Sequence, residues 1–127
     1  MRNKKLLRCI AYLSVNGRLQ DMEKREERQL RYIREYAKAN NIEVVNVIHR
    51  SGLGQFEVNR HFDSMVRGIR NKTYDGILIV NMALISLNVS DAYTKVGKVA
   101  EAGGHMITVD EGDLKLPLNL SGYAGRR

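Results

Sequence analysis

The stretch Asp75-Gly-Ile-Leu-Ile-Val80 constrains the fold more than any other part of the chain. An Asp-Gly turn opens four consecutive apolar residues, too few for a helix of their own and apolar on both side-chain parities. Successive side chains of a strand point to opposite faces, so such a run requires cover on both sides. It reads as a central strand of a parallel sheet.

The rest of the chain falls into register around that strand. Leu6 to Val15 is a second apolar run of strand length. Residues 20–40 are rich in Glu, Lys and Arg, with Leu30, Ile33 and Ala37 forming a narrow apolar helical stripe. Asn40-Asn41 closes that helix, and Ile42 to Ile48 is a β-branched strand. Ser51-Gly-Leu-Gly54 reads as a loop. Phe62, Met65, Val66 and Ile69 then repeat at helical spacing. Ser90 is the expected N-cap of a third helix carrying Val96 and Val99, which stops at Gly103-Gly104. Met106 to Val109 is a fourth strand, and the stretch after Asp110 is expected to be irregular. The order β-α-β-α-β-α-β predicts a three-layer α/β domain: a mainly parallel central sheet of four or five strands with helices on both faces. The expected organisation is one domain over residues 1–112, followed by an irregular tail, 113–127.

In such a sheet ligands bind beyond the carboxyl ends of the strands, which here means Ser14–Gly17, His49–Gly54 and Asn81–Asn88. These loops lack the glycine fingerprint of a dinucleotide site and the Gly-Lys-Ser/Thr of a phosphate loop. They also lack the acidic residues of a phospho-accepting receiver. No cofactor is expected. His49, His61 and His105 are scattered, with no partner at ligand spacing, so no metal is expected either. The single cysteine, Cys9, excludes an internal disulfide and fits a reducing, cytoplasmic setting. No apolar run is long enough to span a membrane. The one compositional bias is charge: 21 Lys and Arg against 14 Asp and Glu give a net +7, which is compatible with a polyanionic partner such as DNA.

The loop sequences resemble, in order and spacing over about 100 residues, the resolvase/invertase family of serine site-specific recombinases. Tyr12-Leu-Ser-Val-Asn16 stands where that family has Tyr-x-Arg-Val-Ser at the end of its first strand. Gln29 matches a glutamine found about one turn into the next helix in many members. Ser51-Gly52 and Arg60 match a Ser-Gly followed some residues later by Arg. Ala83-Leu-Ile-Ser-Leu-Asn88 stands where the family has Asp-Arg-Leu-Ser/Gly-Arg-Asn/Asp.

The resemblance implies a serine that attacks a DNA phosphodiester, with arginines that grip the phosphate in forked geometry. At the corresponding positions this chain has Asn16 for the nucleophile, Ser14 for an arginine, Ala83 for the acid, and Leu84 and Leu87 for the paired arginines. Only Arg60 keeps its chemistry, with Ser51 and Gly52 as loop formers. The chain is therefore expected to be catalytically inactive. Ser14, two residues from the lost nucleophile, is the position from which a rearranged active recombinase would have to work. Arg60, Arg67, Arg70 and Lys72 are candidate DNA-phosphate contacts, along with Arg2, Lys4, Lys5, Arg126 and Arg127. Leu84, Ile85 and Leu87 are expected either to close over the core or to offer a contact surface to another protein. The resemblance implies mobile-element ancestry, and as partners DNA, a second copy, or a recombinase-like protein. Active family members continue into a long helix and a DNA-binding domain; Pro117 and the glycines argue against such a helix over Leu114–Arg127.

Overall fold

A computed structural model describes residues 6–15 and 19–118, with backbone only at 19 and 20. Five strands and three α-helices follow in the order β1 (Leu7–Leu13), α1 (Leu19–Ala39), β2 (Ile42–His49), α2 (Gln55–Arg70), β3 (Gly76–Ile79), α3 (Val89–Glu101), β4 (His105–Thr108) and β5 (Gly112–Asp113). A short 3₁₀ turn, Met82–Leu84, lies between β3 and α3. The sheet order is β2-β1-β3-β4-β5, with the first four strands parallel and β5 antiparallel to β4. The stretch expected to be irregular after Asp110 thus returns along the sheet edge. Gly112, at φ 81°, takes a left-handed conformation at the start of β5.

Strand periodicity separates the core into two layers. Ile10 and Tyr12 of β1, Ile77 and Ile79 of β3, and Met106 of β4 face α2 and α3, where they meet Phe62, Met65, Ile69, Val96 and Val99. Cys9, Ala11, Leu13, Leu78 and Ile107 face the other way, under Ile33 and Ala37 of α1. All four residues of β3 are buried, as the two-faced apolar run requires. Two of the glycines allow close approaches that a side chain would block. A side chain at Gly76 would come within 2.6 Å of the His105 carbonyl oxygen, and one at Gly68 would strike the Tyr74 ring. The N-cap of α3 is Asn88, two residues before the expected Ser90; its side chain accepts a hydrogen bond from the Asp91 N–H at 2.8 Å.

The chain leaves β1 toward β2 on one side and reaches β3 on the other. The carboxyl ends of β1 and β3 therefore flank the point where strand order reverses, the usual ligand crevice of an open α/β sheet.

Candidate functional site

Ser14 follows β1 directly and points to the same sheet face as Tyr12. It is buried, at 2% exposure. Its backbone is clamped by Gln29 of α1, whose amide oxygen accepts from the Ser14 N–H at 3.0 Å and whose amide nitrogen donates to the Ser14 carbonyl at 2.8 Å. Gln29 sits ten residues into α1, almost three turns rather than the expected one, and this depth brings it level with the strand end. The Ser14 hydroxyl donates to the Leu84 carbonyl oxygen at 2.6 Å. A hydroxyl committed in this way and sealed from solvent is a structural tie between β1 and the loop after β3.

Arg50 completes that tie and was not anticipated from sequence. It ends the β2 side of the crevice and is only 7% exposed. Its Nη1 donates to the Ser14 Oγ at 3.1 Å and to the Leu84 carbonyl at 3.5 Å, and its Nε donates to the Leu53 carbonyl. Among the described residues no carboxylate lies within ion-pair distance of it. A guanidinium is tolerated in such a place because it is weakly hydrated and its forked donors can be matched by carbonyl oxygens. Burial pushes the nearby Tyr12 hydroxyl up to about 12, and the Arg50 charge works against that rise. Tyr12 shares a 2.7 Å hydrogen bond with Nδ1 of His61 on α2.

The loop after β3 is folded down over this cluster. Met82 and Ile85 are buried, and Ala83 and Leu84 are half-buried. Asn81 caps the 3₁₀ turn by accepting from the Ala83 N–H at 2.8 Å. Gln55, at the start of α2, donates to the Ile85 carbonyl at 2.7 Å. Leu87 behaves differently: its side chain is 69% exposed while its N–H is held by the Asp91 carboxylate at 3.0 Å. Of the three apolar residues expected to close over the core or to offer a contact surface, Ile85 closes over the core, Leu84 is half-buried and Leu87 is exposed.

The remaining candidates separate. Ser51 (φ 58°) and Gly52 (φ 72°) make the left-handed turn that lets Arg50 double back over Ser14. Arg60 lies on the exposed face of α2, paired with Glu57 at 3.0 Å, and does not reach the cluster. Arg67, Arg70 and Lys72 are exposed near the other end of α2, whose 16 residues span about 24 Å. Asn16, Arg2, Lys4, Lys5, Arg126 and Arg127 lie outside the described residues. Among the described residues no cluster of three or more His, Cys, Asp or Glu is placed to hold a metal ion, and no helix is long and apolar enough to cross a membrane.

No protein-family model matches the sequence, and no curated protein matches it. Solved structures do resemble the fold. A resolvase family site-specific recombinase from Streptococcus pneumoniae superposes with a TM-score of 0.70 at 19% identity, over 84% of this chain and 75% of that one. The N-terminal catalytic domain of TP901-1 integrase gives 0.65 at 17% identity, over 83% and 78%. The C-terminal catalytic domain of ISC1926 TnpA, an IS607-like serine recombinase, gives 0.64 at 21% identity, over 81% and 70%. The chain thus has the resolvase-like fold of serine recombinase catalytic domains.

Proposed function

We propose that this chain is a resolvase-like domain that does not cut DNA and works by binding, either to DNA or to a recombinase-like protein. The observation that carries the proposal is the state of the crevice. The Ser14 hydroxyl is buried under the Leu84 carbonyl, and the Arg50 guanidinium beside it is spent on carbonyls and on that same hydroxyl. Strand cleavage needs an accessible nucleophile and donors aimed at a phosphate gaining charge. Leu84 and Leu87 offer neither charge nor side-chain donors where the family's paired arginines are expected. Ser14 fares no better as a substitute nucleophile, since reaching a phosphate would require opening the loop that covers it.

The DNA contact in this reading falls to Arg67, Arg70 and Lys72, which have no ion-pair partner among the described residues. Arg60 contributes less because Glu57 already neutralises it. The test is a salt titration of duplex binding by the purified chain. Three phosphate contacts predict a slope of log affinity against log salt near −3, flattening to about −1 in an Arg67→Ala, Arg70→Ala double variant. Absence of binding at low salt removes DNA from the proposal and leaves a protein partner.

A further inference from the structure

A cavity of about 180 Å³ opens between α2 and α3, with Asn59, Phe62 and Asp63 on one wall and Asp91, Lys95 and Lys98 on the other. Lys95 is only 4% exposed, a rare burial for a lysine. Its Nζ donates to the Asp91 carboxylate at 2.8 Å and lies 5.7 Å from the centre of the Phe62 ring. An ammonium carries three N–H donors, and Asp91 is its only hydrogen-bond acceptor among the described residues. Buried polar groups are as a rule fully bonded, because a donor left unmatched away from water costs free energy. Lys95 therefore brings unmatched donors to the cavity it lines. Asn59 is in a similar state. Its amide oxygen accepts from the Gln55 Nε2 at 3.0 Å, while its amide nitrogen has no acceptor among the described residues.

Charge and size decide what fits there. Lys95 is balanced by Asp91, and Lys98 by Asp63 at 3.4 Å. The groove runs on past Asp63 and Lys98 to Arg67 and Arg70, where Glu101 joins them, so its whole length keeps one positive charge in excess. A dianion such as phosphate would meet the Asp63 and Asp91 carboxylates, and a cation would meet Lys95. A single carboxylate suits both conditions. It carries one charge, and its two oxygens can accept from Lys95 and Asn59 together, the first bond being between full charges. The Phe62 ring gives an apolar wall to a short carbon skeleton. The volume is that of about six water molecules, which limits the ligand to a handful of heavy atoms. We infer that the cavity between α2 and α3 is a binding site for a small monocarboxylate, held by Lys95 and Asn59. The site stands apart from the proposed function, since it uses neither Ser14 nor the crevice above it.

NMR titration of the full chain with propionate at constant ionic strength tests it. Propionate should shift the Asn59 side-chain amide and the Lys95 ammonium resonances and saturate with a Kd on the order of 1 mM, reasonable for so few atoms. Propionamide, of the same shape without the charge, and phosphate should each bind at least ~10-fold more weakly. Lys95→Met, which keeps the apolar stem, should weaken propionate at least ~10-fold, and Asn59→Ala about 5-fold. Lys115→Met, which removes an exposed lysine outside the cavity, should change nothing. Because Lys95→Met also takes a partner from Asp91, the natural chain supplies a second readout: propionate should raise its melting temperature and propionamide should not. Equal responses to propionate and propionamide, no saturation below about 50 mM, or binding indifferent to Lys95 overturns the inference. None of these results touches the non-cleaving reading, which only covalent attachment to DNA would overturn.

Discussion

Arg50 shows how one side chain can close a site. Its guanidinium ties three segments together through the Ser14 hydroxyl and the Leu53 and Leu84 carbonyls. Arg50→Ala should therefore lower stability by about 1–3 kcal/mol in urea unfolding, the range for stranding buried partners of a charged donor. Ser14→Ala should cost only about 1 kcal/mol, since Arg50 and the Leu84 carbonyl still face each other. Titration supplies a second residue-scale prediction. Burial, with smaller contributions from Asp75 and Asp113, pushes the Cys9 thiol from 9.0 up to about 12, and burial raises Tyr12 from 10.0 to about 12. The unfolded chain releases these protons first, so stability should hold to about pH 9 and fall as pH rises toward 12. Cys9→Ala should remove the earlier part of that fall in pH-dependent melting. Ser14 was legible as a site position because Tyr12-Leu-Ser-Val-Asn16 resembles the end of the family's first strand. Arg50 was not, because an arginine before a Gly-rich loop reads as a solvated charge until the loop after β3 is laid over it.

At the scale of elements, the periodic segments were legible and their ends less so. The apolar run Ile77 to Val80 places β3 within one residue, and the repeat from Phe62 to Ile69 marks the second half of α2, which begins seven residues earlier at Gln55. The start of α3 was misplaced because Asn88 and Ser90 are both capping residues two positions apart, and only the backbone decides between them. Asn88 adopts the extended conformation and bonds the Asp91 N–H, which leaves Ser90 inside the first turn. Asn88→Ala should thus cost about 1 kcal/mol in thermal unfolding and Ser90→Ala almost nothing. Burial raises the Asp91 carboxyl, but hydrogen bonds from Lys95 and the Leu87 N–H, with the charges of Lys95 and Lys98, outweigh it and leave the pKa lowered. Its contribution is therefore present above the ordinary carboxylate range and lost as pH falls through the folded value. Packing between elements gives one more test. Gly68→Ala would drive a methyl into the Tyr74 ring and should destabilise by about 1–3 kcal/mol. The two-residue β5 carries too little periodicity to be read ahead of the sheet edge it joins.

For the whole molecule, alternation of strands and helices was enough to predict a parallel sheet layered between helices. The family resemblance, spread thinly over the chain, pointed to the same fold that superposition on serine recombinase catalytic domains now shows. The candidate site was legible as a set of replaced positions and not as an arrangement. The family resemblance assigned Ser14, Leu84 and Leu87 to one site. It gave no sign that Leu84 would present its backbone to Ser14, that Leu87 would remain in water, or that Arg60 would turn away toward Glu57. The arrangement separates two regions, a crevice at the carboxyl edge of the sheet whose Ser14 and Arg50 are tied to one another and to the Leu84 carbonyl, and cations toward the far end of α2 that have no ion-pair partner among the described residues. The proposal of a domain that binds without cutting rests on that separation. The most direct test is incubation of the purified chain with labelled nicked and gapped duplex DNA, followed by a denaturing gel. The account predicts no covalent protein–DNA adduct from the natural chain or from Ser14→Ala; an adduct formed by the natural chain and abolished in Ser14→Ala would contradict it.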